Sequence, residues 1–143
     1  MKKNLITRLN EGPVLCAEGY LFAMERRGYL QAGAFVPEVV LEHPEVLSQL
    51  HREFIRSGSD VIQAFTYYGH REKLRIIGKE NLLEPLQKNA LQIAKDSREE
   101  FKDLDLMVCG DVANTNVYDP NDKKSNVECQ KMFEEQVAWA KEA

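Results

Sequence analysis

The sequence predicts a parallel α/β fold, and three observations support that class. Three short apolar runs, Val14–Ala17, Asp60–Thr66 and Leu106–Gly110, have the character of strands buried on both faces. An amphipathic helical pattern follows each run. Strand and helix alternate, as right-handed βα crossovers require. The last helix is followed by no further strand within the 143 residues. The expectation is therefore the opening of a longer (β/α) protein, with no internal domain boundary over residues 1–143.

Residues 4–10 begin the chain as a short helix with Leu5, Ile6 and Leu9 on one face, broken by Gly12-Pro13. Val14–Ala17 is the first strand, ended by Glu18-Gly19. A short helix follows over residues 21–27 and closes at Gly28, and residues 29–37 read as loop around Gly33 and Pro37. Pro44 suits the first turn of a helix. Val46, Leu47, Leu50, Phe54 and Ile55 carry that helix to about Arg56, with Gly58 as its stop.

Asp60–Thr66 is the second strand. A helical turn over residues 70–77 ends at Gly78, and a longer helix carries Leu83, Leu86, Ala90, Ile93 and Ala94. Leu106–Gly110 is the third strand. Asn114 to Asn126 is polar, contains Asp119-Pro120-Asn121-Asp122, and reads as loop. The last helix shows Phe133, Val137 and Ala140 at i, i+4 and i+7, with Trp139 alongside.

Composition narrows the function classes. Hydrophobic residues make up 43% and charged residues 29%, ordinary for a globular domain. The net charge of −4 argues against binding a phosphate backbone, so no nucleic-acid partner is expected. No apolar run approaches the roughly 20 residues of a membrane helix, and no secretory signal core follows the N-terminus, so a cytoplasmic protein without a membrane partner is expected. Cys16, Cys109 and Cys129 form no CxxC pair, and with His43, His51 and His70 they make no complete metal site.

Ligands of parallel α/β folds bind where strand C-termini meet their loops. Those ends are Glu18-Gly19-Tyr20, Thr66-Tyr67-Tyr68 and Asp111 to Thr115. Glu18 offers a carboxylate for an ammonium group, and Gly19 allows close approach to the backbone. A solvated acid at a strand-end turn accounts for the same pattern. Strand alternation points Tyr67 and Tyr68 to opposite sides. Tyr68 and Phe35 are a candidate aromatic pair for a quaternary ammonium, in competition with ordinary core packing. Phosphate-binding glycine signatures do not occur.

Three stretches carry a family resemblance: Glu18 to Glu38 (EGYLFAMERRGYLQAGAFVPE), Glu42 to Phe54 (EHPEVLSQLHREF) and Gly58 to Tyr68 (GSDVIQAFTYY). They resemble the N-terminal part of the homocysteine S-methyltransferases, nearest the betaine-using branch. The resemblance implies the first three βα units of a (β/α)8 TIM barrel that transfers a methyl group to the sulfur of homocysteine, giving methionine. It also implies a zinc ion held by three cysteines, one after a middle strand and two in a Gly-Gly-Cys-Cys-Gly motif. Neither motif occurs here, so no catalytic zinc is expected on this chain alone. Matching without gaps puts Ala17 at the family's substrate-binding acid and Gly19 on a family glycine. Glu18, one residue later, is the candidate replacement. Tyr68 matches a donor-site tyrosine, and Phe35 matches a donor-site aromatic that is usually tryptophan. The expected partners are therefore homocysteine and a methyl donor such as betaine, with S-methylmethionine or a folate or cobalamin methyl as alternative donors. Open sheet edges make a homo-oligomer an expectation. An inactive fragment or association module without the zinc site is the alternative to an enzyme.

Overall fold

The computed structural model describes residues 3–31, 33 and 38–143; Phe35 lies outside the described residues. Helix α1 (Leu5–Glu11) opens the chain, capped by Asn4, whose side chain accepts from the Thr7 N–H at 2.9 Å. Helices α2 (Tyr20–Arg26), α3 (Val39–Glu42) and α4 (Pro44–Arg56) lead to strand β1 (Val61–Gln63). Helix α5 (Arg71–Ile76), a 3-10 turn (Glu80–Leu82) and helix α6 (Leu83–Glu100) lead to strand β2 (Met107–Cys109). Helix α7 (Lys123–Glu142) completes the order.

Strands β1 and β2 pair in parallel, Val61 opposite Met107 and Gln63 opposite Cys109. The first expected strand is reduced to a parallel bridge between Cys16 and Val61. It is held by Ala17 N–H donating to the Val61 carbonyl at 2.8 Å, and by the Asp60 and Val61 N–H groups donating to Leu15. Pro13 stands just upstream and the Gly19 turn just downstream, so only a few residues are free to pair. The spatial order of the three segments is the expected one, with β1 in the middle. Strand β1 is also shorter than the expected Asp60–Thr66. Ala64 still donates to the Cys109 carbonyl at 2.8 Å, but the chain turns at Thr66, whose N–H bonds back to Ala64.

The starts of these segments are tied by one side chain. The Arg8 guanidinium pairs with Asp60 and donates to the Asp105 carbonyl at 2.6 Å, while Asp60 accepts from the Leu15 N–H at 2.9 Å. Under the sheet, Ile62 and Ala64 are fully buried against Leu47, Leu50, Leu86, Ala90 and Ala94 of α4 and α6. Each such leucine contributes about 1.5–3 kcal/mol by leaving water. Helix α4 has the expected bounds and buries Val46, Leu47, Leu50 and Ile55.

Two further expectations are corrected. Helix α3 was not expected, and α7 begins inside the expected loop 114–126. Asp122 is its cap, accepting from the Lys124 N–H at 2.9 Å. The buried face of α7 is Ser125, Cys129, Met132 and Gln136, while Val137 is 41% exposed. The polar Gln136 turns inward because α6 presents Gln87, whose Nε2 reaches the Gln136 Oε1 at 3.5 Å. A stripe of apolar residues therefore does not mark this seam.

Candidate functional site

A cleft of about 280 Å³ opens at the C-terminal ends of the strands. Its wall is made by Glu18 and Gly19 after the first bridge, Tyr20 and Phe22 of α2, Gln63 and Phe65 around β1, then Tyr67 and Asp111. Gly19 has φ +82 and is the residue before α2, so the turn that presents Glu18 uses the left-handed conformation that glycine adopts freely.

Tyr20 forms the floor. It is 3% exposed, and its hydroxyl is shared between the His51 Nδ1 at 2.9 Å and the Gln63 N–H at 3.4 Å. Burial raises the Tyr20 phenol well above its ordinary range and pushes His51 down to about 4, so both are neutral near pH 7. The His51 Nε2 is buried and has no hydrogen-bond partner among the described residues. The pair anchors α2 on α4 beneath the Glu18 turn.

Asp111 sits across the cleft from that turn. The Thr66 hydroxyl, on a residue 4% exposed, donates to the Asp111 carbonyl at 2.6 Å and accepts from the Asp111 N–H at 2.9 Å. This double contact locks the ends of β1 and β2 together. Burial, and then the charge of Glu18, raise the Asp111 carboxyl above the usual carboxylate range. The cleft therefore carries two carboxylates close enough to feel each other, a setting suited to a cationic group.

Glu18 and Gly19 both line the cleft as expected from their strand end. Tyr68 is not among the residues that line it, although its neighbour Tyr67 is. The expected divergence of Tyr67 and Tyr68 does not occur: their ring centroids are 4.1 Å apart and the planes tilt by 30°. Alternation fails because both residues lie past the end of β1 and Tyr68 has φ 59, in the left-handed region. The hydrogen bond with Tyr68 is the main cause that pushes the Tyr67 phenol up to about 12, and burial adds to it. Tyr67 and Asp111, named from the sequence only as parts of strand ends and given no role, line the cleft, and so does Gln63, which sequence reasoning did not name there. Their signal was position alone, since each lies at or just beyond the C-terminal end of a strand.

Among the described residues, no group of three or more His, Cys, Asp or Glu side chains is placed to hold a metal ion. Cys109 is half-buried, and burial first, with Cys16 adding, pushes its thiol up to about 12. Cys109 has no set of three ligand-type side chains around it among the described residues, and a closed zinc centre needs four ligands.

The family model described as homocysteine S-methyltransferase matches residues 19–143. Betaine–homocysteine S-methyltransferase 1 of Bos taurus is 38% identical over 142 residues, covering 96% of this chain and 34% of that protein. The Danio rerio protein of the same name is 41% identical over 138 residues, covering 95% of this chain and 34% of its own. The chain thus spans about a third of the length of these relatives. Among solved structures, the metallated form of the homocysteine methyltransferase MmuM from Escherichia coli superposes with a TM-score of 0.75 at 20% identity, covering 94% of this chain and 52% of that one. Its oxidized form superposes with a TM-score of 0.65 at 19% identity.

Proposed function

This chain belongs to the homocysteine S-methyltransferase family, and from that premise we propose that it forms the first three βα units of a (β/α)8 barrel that methylates homocysteine from a donor such as betaine. The observation that carries this reading is the agreement with betaine-using relatives along 95–96% of the chain, together with a cleft at the strand ends where barrel sites form.

In this reading the homocysteine ammonium binds at Glu18, with the Gly19 backbone close behind. The donor's cationic head lies against Tyr68; Phe35, assigned to the donor by the family resemblance, lies outside the described residues. Homocysteine reacts as its thiolate, its thiol proton already lost to solvent; the sulfur's electron pair forms the new S–C bond as the bond from carbon to the donor heteroatom breaks, and the donor leaves neutral at that atom. The residues of this chain bind and orient the two reactants, and none of them is required to move a proton. The zinc that such enzymes use to hold the thiol would be bound by residues outside these 143. Tyr20, Thr66 and His51 keep the strand ends in register, which sets the distance between the two reactants.

The test is kinetic, on the whole gene product. Glu18→Ala raises the homocysteine KM and leaves the betaine KM nearly unchanged. Tyr68→Ala does the reverse, by about 5–30-fold, the value of one desolvated π face. Betaine kinetics unaltered by Tyr68→Ala would remove the donor assignment, and homocysteine kinetics unaltered by Glu18→Ala would remove the ammonium assignment.

A further inference from the structure

Tyr68 already has a cation on it. The Lys73 ammonium lies 4.1 Å from the centre of the Tyr68 ring. Tyr67 covers one face of that ring at a centroid distance of 4.1 Å, so Lys73 lies over the other. This placement is built, not incidental. Tyr68 takes φ 59, an uncommon conformation for a residue with a bulky side chain. The segment after it is pinned by the Gln87 amide, which donates to the Gly69 carbonyl at 2.6 Å. Gly69 has no room for a side chain, because a Cβ there would stand 3.0 Å from the Thr66 carbonyl oxygen and from the Gln87 amide. His70 then caps α5, its Nδ1 accepting from the Lys73 N–H at 3.3 Å. Lys73 is therefore held one helical turn beyond Tyr68 and folded back over it. No carboxylate among the described residues forms an ion pair with Lys73, and burial first, then the Lys73 charge, holds His70 below its ordinary range.

We propose that Lys73 selects the methyl donor: it occupies the cationic place on Tyr68 until a zwitterionic donor displaces it, and it then pairs with that donor's carboxylate. The inference rests on the assignment of Tyr68 to the donor. A donor with only a positive charge meets an ammonium a few ångströms away and gains nothing when the lysine leaves. A donor with a quaternary nitrogen and a carboxylate takes over the π face with the first and gives the displaced lysine a partner with the second. Lys73 is thus the residue that reads the donor's carboxylate, beside the π face that reads its cation.

Glycine betaine and choline test this directly, since both carry trimethylammonium and only betaine carries a carboxylate. Binding of each to the whole gene product is measured by calorimetry at fixed ionic strength, for wild type, Lys73→Met, Lys73→Arg and Tyr68→Leu. Wild type prefers betaine by about tenfold or more, the worth of one charge-assisted contact. Lys73→Met loses that preference, weakening betaine and strengthening choline, and Lys73→Arg retains it. A betaine-to-choline ratio unchanged within twofold in Lys73→Met, while Tyr68→Leu weakens betaine, overturns the role of Lys73 and leaves the donor site standing. A wild type that binds neither compound overturns both. A readout independent of the variants' folding is the proton spectrum of wild type. The Lys73 Cε protons are shifted upfield by the Tyr68 ring, and betaine moves them toward the ordinary lysine position. Ordinary lysine shifts in the free protein overturn the proposal.

Discussion

Lowering the pH from 7 toward 4 charges the buried His51, and this imidazole makes the fold acid-sensitive from about pH 6.5 downward, before most carboxylates begin to titrate. His51 is 0% exposed, and burial takes it from 6.5 to about 4. The folded state therefore holds the neutral form while the unfolded chain binds a proton. The stabilisation is fully present above pH 6.5 and is lost as the pH falls toward 4. At about 1.4 kcal/mol per pH unit the loss comes to about 3 kcal/mol, a large part of the 5–15 kcal/mol of a typical domain. His70, also lowered, acts in the same direction, so the comparison must be between variants. His51→Leu removes the imidazole, leaving the Tyr20 hydroxyl only its weak contact from the Gln63 N–H at 3.4 Å, and lowers stability at pH 7 by about 1–3 kcal/mol. Its stability then falls much less than that of wild type between pH 6.5 and 4. Urea midpoints at half-unit steps of pH measure this, with the His51 ring protons titrated by NMR as a check. Parallel midpoint curves for wild type and His51→Leu, or a His51 that titrates near 6.5, would refute the reasoning.

Two further outcomes follow from the same geometry. Thr66→Val leaves the Asp111 N–H without its partner and lowers stability by about 1–3 kcal/mol, whereas Thr66→Ser keeps both contacts and most of the stability, as urea melts will show. The 143-residue chain, loaded with zinc and dialysed, holds far less than one zinc per chain by elemental analysis; one tightly held zinc, lost on mutating Cys16 and Cys109, contradicts the expectation that this chain alone holds no catalytic zinc.

Legibility in the sequence followed the physics of each segment. Helix α4 was readable to its bounds because Pro44 fixes its start and four of the five residues of its apolar stripe are buried, although His51 joins that buried face unannounced. Helix α7 was readable as a helix but not by its face, since Gln136 turns inward to Gln87, 49 positions away, and Ser125 turns inward to bond the backbone of Asp119 and Asp122 in the preceding turn. The first strand was readable as an apolar run, yet its length depends on neighbours, and only Cys16 retains a bridge. Glu18 and Gly19 were found because a strand end and a glycine are local signals. Asp111 was legible as a strand end but not as a site carboxylate, because its setting comes from Thr66, 45 positions away, and from the charge of Glu18. The stacking of Tyr67 on Tyr68 was hidden because period-two alternation holds only while the backbone stays extended, and Tyr68 leaves that region.

The central claim is that the strand-end cleft belongs to an enzyme that methylates homocysteine. It is tested most directly by incubating the whole gene product with zinc, L-homocysteine and betaine carrying a 13C-labelled methyl group, and following the label by NMR. The account predicts label in the S-methyl of methionine, with one methyl lost from betaine for each methionine formed, and a large loss of rate in Glu18→Ala at low homocysteine. Label that stays on betaine, with no methionine formed from S-methylmethionine or a methylated folate or cobalamin either, would contradict it.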